Sequence, residues 1–173
     1  MPWSRPEAVL QVIISILLIA ILPFVIGVAA AVSPESTAGL ILATLLIEYS
    51  APVAGLAAGL SPGYTMITVI LVGCGVILIQ YLVFDAMCCH SGRIQRFLGW
   101  IRQKHSNSRL IQRYGVLALA PGILTFGFYI CPAVSWLFGW DRKIAFLVMI
   151  SAYGLAATRV LMAGLGIIRW ILG

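Results

Sequence analysis

Uninterrupted apolar runs, long enough to matter to a bilayer, decide most of what this chain can become. Between Val9 and Val32 the only strongly polar side chain is Gln11, and at the helical rise that run is about 36 Å long, enough to cross a membrane with some tilt. It is too long for a signal peptide, whose apolar region runs about 7 to 15 residues, even though Ala29, Ala30 and Ala31 imitate a cleavage site. Of the 173 residues 62% are hydrophobic and 9% charged, where a soluble domain carries about a quarter charged. Lipid must therefore be the solvent for most of the chain.

The few charges are gathered rather than scattered. Eleven Lys and Arg against five Asp and Glu give a formal charge of +6, and six of the eleven fall between Arg93 and Arg113. A basic loop between apolar spans reads as a cytoplasmic segment facing anionic lipid, not as a nucleic-acid surface. Within 91–113, Ile94, Phe97, Leu98 and Ile101 recur at helical spacing among Arg93, Arg96, Arg102 and Lys104. That pattern predicts an amphipathic surface helix whose basic residues touch lipid headgroups. The cysteines Cys74, Cys88, Cys89 and Cys131 lie in or beside apolar stretches without metal-site or disulfide spacing, and read as small buried hydrophobes. No Ser-His-Asp set, paired metal ligands or phosphate loop is visible, so no enzymatic activity, cofactor or metal is expected.

The spans are not alike. Simple transmembrane helices are expected over 9–32, 62–89 and 142–166, the second capped by Ser61 with Pro62 at its first position and the third by Asp141. Asp85 would lie at the interface, within reach of the basic segment. The run 38–60 is interrupted by Glu48 and Pro52, then by Gly55 and Gly59. A proline removes a helix hydrogen bond, and a carboxyl at mid-depth is costly unless paired or hydrated. Irregular backbone is tolerated there only against protein or a cavity. The run predicts a re-entrant helical hairpin bending near Tyr49 to Pro52. The run 114–140, broken by Pro121-Gly122 and Pro132, predicts a second.

The two broken runs share a spacing: Pro52, Gly59 and Ser61 in one, Pro132, Gly139 and Asp141 in the other, all offset by 80 residues. The proline opens a returning arm, the glycine lets the chain turn and the last residue caps the following helix. With the basic segment cytoplasmic, Arg5, Arg142 and Lys143 fall on the inner side, and the two hairpins enter from opposite faces. The expected architecture is all-α and integral to the cell membrane, with about three full transmembrane helices and two oppositely oriented re-entrant hairpins forming an inverted repeat. The N-terminus is then cytoplasmic and the C-terminus outside. Such repeats, with broken elements meeting near the midplane, build the sites of secondary transporters.

Glu48 leading through Pro52, Gly55 and Ala57 to Gly59-Leu60-Ser61-Pro62, then a basic amphipathic stretch, then Arg113-Tyr114-Gly115-Val116 opening a second broken run, resembles the small multi-drug export protein family of prokaryotes. That family is related to the DedA and VTT (SNARE-associated) membrane proteins. The similarity covers about Glu48 to Gly166. The resemblance implies two opposed re-entrant hairpins and membrane transport, in the wider superfamily often lipid scrambling or undecaprenyl-phosphate translocation. Ser50 stands where the family's first hairpin usually has Arg, and of a Pro-x-Pro-Gly-Thr-Gly type sequence in the second, Pro121-Gly122, Thr125 and Gly127 remain.

Glu48 is the sharpest candidate: a proton-coupling or substrate-binding carboxyl at the hairpin tip, or a structural acid bonded to free backbone groups there. Arg159 could neutralise it or bind a phosphate, or its side chain could reach out to the headgroups. Pro52 and Pro132 shape the returning arms, and Thr125 and Tyr129 could supply hydroxyls at the second hairpin. Two functions follow. One is a small transporter or lipid translocase, with proton coupling through Glu48; the other is a non-transporting scaffold that engages lipid or a partner through its basic helix. Membrane lipids are the expected partners. Because few helices can hardly shield two polar hairpins from lipid, a homo-oligomer, taken as a dimer, is expected.

Overall fold

A computed structural model describes residues 6–90, 115–117 and 119–172. They are helical: α1 (Pro6–Ile16), a π-helical turn (Leu17–Ile21), α2 (Leu22–Ala29), α3 (Pro34–Ile47), a 3-10 turn (Glu48–Ser50), α4 (Ala51–Ala57), α5 (Pro62–His90), α6 (Leu119–Phe138) and α7 (Arg142–Leu172). Four stretches are long and apolar enough to cross a membrane, namely Ala8–Ala29, Pro34–Ala57, Pro62–Cys88 and Arg142–Gly166, and Gly127–Phe138 is a shorter apolar helix. The basic segment, with Arg93, Arg96, Arg102 and Lys104, lies outside the described residues.

Local chemistry sets the element ends. Pro23, second in α2, has no N–H for the preceding turn and its ring crowds that turn's carbonyls, and the helix widens to the π turn just before it. Ser33 caps α3, accepting from the Ser36 N–H at 3.3 Å, with Pro34 at the first position and Glu35 in the first turn. The helix therefore starts at Pro34, four residues ahead of the expected run. At α5, Ser61 Oγ accepts from the Tyr64 N–H at 3.3 Å; at α7, Asp141 Oδ1 accepts from Lys143 and Ile144 N–H at 2.9 and 3.2 Å.

The chain divides into two compact units. One comprises Ile16–Gly75 and Tyr153–Gly173, the other Met1–Ser15 and Val76–Ala152. In the first unit α4 turns back beside α3. A Cβ on Gly55 would come within 3.1 Å of Leu40 Cδ1, and Ser36 and Gly39 of one arm line a small cavity with Ala54 and Ala58 of the other. Gly55 also lies against α5, where an added Cβ would be 2.6 Å from Thr65 Cγ2. Tyr64 of α5 ties this unit together from within: its hydroxyl lies 2.8 Å from Thr37 Oγ1 and donates to the Pro23 carbonyl at 3.3 Å. Gly27 leaves room for that junction, since a Cβ there would be 2.7 Å from Thr37 Oγ1 and 2.9 Å from the Tyr64 hydroxyl.

In the second unit α6 is not one straight helix. Gly127 has φ 78° and ψ 177°, a conformation open in practice only to glycine. The arm after it returns beside the arm before it, so that a Cβ on Gly122 would be 3.4 Å from Cys131 Sγ. The break thus falls at Gly127 rather than at Pro121-Gly122 or Pro132. Pro132 is buried in the second arm.

Candidate functional site

The first unit's reversal is built on Glu48. It ends α3 with φ 44° and ψ −97°, a strained backbone for a residue with a side chain, of the kind that collects at functional sites. Its side chain is half-buried. Beside it, Tyr49 packs on Tyr153 of α7 with ring centroids 5.8 Å apart. Tyr153 is fully buried and rests on Gly73, where a Cβ would come within 2.7 Å of its ring. Gly73 thus seats a ring that packs beside the reversal. Ala51 and Pro52 are buried at the start of the returning arm. Further along it, Val53 and Leu56 meet Gly164 of α7, where a Cβ would be 3.2 Å from Val53 Cγ2.

Two hydroxyls of α5 in this unit, Thr65 Oγ1 and Thr68 Oγ1, are fully buried and have no hydrogen-bond partner among the described residues. A buried hydroxyl left so costs about 1 to 3 kcal/mol, and sequence reading had singled out neither. The signal was there, because residues three apart on one helix share a face. Chemically, the region offers a carboxyl that can hold or release a proton, set between the end of α3 and the start of α4, with hydroxyls in the adjoining interior. Arg159 is exposed on α7.

The second unit holds the polar network. Asp85 receives both guanidinium nitrogens of Arg142 at 2.7 Å and the Trp136 indole N–H at 2.9 Å. Tyr81, one turn back along α5, donates to the buried Ser135 hydroxyl at 2.9 Å, and Arg142 lies over its ring at 5.8 Å. Asp85 therefore joins the returning arm of α6 to the first turn of α7, a role not foreseen for it. Of the other sequence candidates, Tyr129 is 40% exposed with its ring 4.6 Å from Phe128, and the Thr125 side chain lies outside the described residues. Gln80 Oε1 is a further buried oxygen without a partner among the described residues.

The two reversals are closed by turns of one construction. Leu60 and Gly59 donate to the Gly55 and Leu56 carbonyls at 3.0 and 2.9 Å, and Trp140 and Gly139 donate to the Ser135 and Trp136 carbonyls at 3.2 Å each. This is the Schellman pattern, with φ 76° at Gly59 and 67° at Gly139. The next bonds match too, Thr65 to the Ser61 carbonyl at 3.0 Å and Ala145 to that of Asp141 at 2.9 Å. Gly59 is thus a turn residue with open space around it among the described residues, whereas Gly55 makes the close contact between the arms.

Comparison with protein-family models, with curated proteins and with solved structures returned no match.

Proposed function

We propose that this chain is a small cell-membrane transporter of the kind its sequence resembles, translocating lipids or similar amphiphiles, with Glu48 at its polar centre. The observation that carries the reading is a recurrence. Two apolar helical segments fold back on themselves, and 80 residues apart the same hydrogen-bonded turn leads each into a long capped helix. In this reading α3–α4 and α6 are re-entrant hairpins of an inverted repeat entering from opposite faces, with the N-terminus cytoplasmic. Half-helices that stop within the apolar layer bring backbone dipoles and a carboxyl to a depth where a simple span has none. Glu48 takes up and releases the coupling proton, and the exposure of Arg159 favours a headgroup contact for it over a buried ion pair with Glu48.

The test is fluorescent-lipid scrambling in proteoliposomes across an imposed pH gradient, comparing wild type, Glu48→Gln and empty vesicles. Fast exchange is expected for wild type and loss to the empty-vesicle rate for Glu48→Gln, with an unchanged elution profile and helix content. Wild-type rates in the variant would remove the carboxyl from the mechanism. Wild-type protein no faster than empty vesicles would end the lipid-translocase reading.

A further inference from the structure

One cavity of the second unit has no part in the proposed translocation. About 450 Å³ in volume, it is lined by Gln11 of α1, by Leu78 and Tyr81 of α5, and by Arg142, Lys143, Phe146 and Leu147 of α7. Gln11 helps to form its wall by donating to the Leu78 carbonyl at 2.8 Å, which satisfies the one strongly polar side chain of the first apolar run. Among the described residues, the two charged groups that line it, Arg142 and Lys143, are both cationic, and they stand at one end of it. Lys143 and Arg142 begin α7, Phe146 and Leu147 lie about one turn deeper, and Leu78 is seven residues, roughly 10 Å, along α5 from the level of Asp85 and Arg142.

Among the described side chains, the nearby acids do not cancel the cationic end. Asp85 is held by Arg142 and Trp136, and the Asp141 carboxylate caps α7. Lys143 is exposed and, among the described residues, makes no ion pair. A positive mouth above a narrow apolar trough is complementary to one molecule at a bilayer edge: an anionic headgroup on an acyl chain.

We infer that this groove holds an anionic glycerophospholipid as a resident partner, its phosphate at Lys143 and the outer edge of Arg142, its upper acyl chain along Leu78, Phe146 and Leu147. The binding is independent of whether the protein moves lipid, so it survives a negative scrambling result.

The test uses the full chain in bilayers containing phosphatidylglycerol with a photoactivatable group on the upper acyl chain, then repeats it with phosphatidylcholine labelled identically. Crosslinks from the anionic lipid are expected on the peptides holding Leu78 and Phe146–Leu147, competed by unlabelled phosphatidylglycerol and not by phosphatidylcholine. Lys143→Gln should lower anionic-lipid crosslinking about fivefold, the effect of one lysine near a membrane surface, and leave the phosphatidylcholine signal unchanged. Leu147→Trp, at an exposed position, should fill the trough and remove the crosslinks with the charge intact. Equal labelling by both lipids, insensitivity to Lys143→Gln, or crosslinks that persist in Leu147→Trp would each overturn the site.

Discussion

Two residues in left-handed backbone test how far the turns constrain the sequence. Ala31 closes α2 with φ 55°, in a turn whose bonds run from Val32 to the Gly27 carbonyl at 2.9 Å and from Ala31 to that of Val28 at 3.1 Å. Gly59 closes α4 at φ 76°. The same strain thus falls on an alanine in one place and is avoided by a glycine in the other, at about 1 to 2 kcal/mol. Ala31→Gly should raise stability by about 1 kcal/mol and Gly59→Ala should lower it by about as much, measured by denaturant titration in detergent. That loss would be backbone strain alone, because among the described residues nothing lies within 4 Å of a Cβ at Gly59. Opposite signs at the two positions are the expected result; equal signs would mean that their φ angles do not govern them.

At the scale of elements, the returning arm of α6 is held to α5 by Tyr81 and Asp85. Tyr81→Phe leaves the buried Ser135 hydroxyl without its donor and should cost about 1 to 3 kcal/mol. The double variant Tyr81→Phe, Ser135→Ala should recover part of that loss, since neither polar group is then left behind. Additive losses in unfolding experiments would mean that the 2.9 Å contact carries no coupling. Much of this level was legible in the sequence. Glu48 and Pro52 marked the first break, and the caps at Ser61 and Asp141 are where the residue types required them. The position of the second break was not legible, because proline near a helix start is tolerated and only the φ/ψ of Gly127 shows that the chain turns there. The start of α3 was read late although Ser33-Pro34-Glu35 is a complete start signal. The Asp85–Arg142 pair joins residues 57 apart, which no local periodicity reports. An acid ending one span and a base opening another on the same expected side were its only trace.

For the whole molecule, opposed hairpins require that Ser61 and Lys143 face different sides of the membrane. With Cys74, Cys88, Cys89 and Cys131 replaced, a membrane-impermeant maleimide applied to intact cells should label Ser61→Cys and spare Lys143→Cys until the cells are permeabilised. Labelling of both, or of neither, before permeabilisation would rule out the opposed arrangement. One consequence follows from the shortness of α4. Its seven residues rise about 10 Å, a third of a hydrocarbon layer about 30 Å thick. Acyl chains beside such an arm have too little apolar height to match, and a bilayer answers a deficit of this kind by dimpling. If the arm is re-entrant and the protein moves lipid as proposed, the path a headgroup must travel is shortest beside it, and part of the catalysis of flipping then belongs to the deformed lipid.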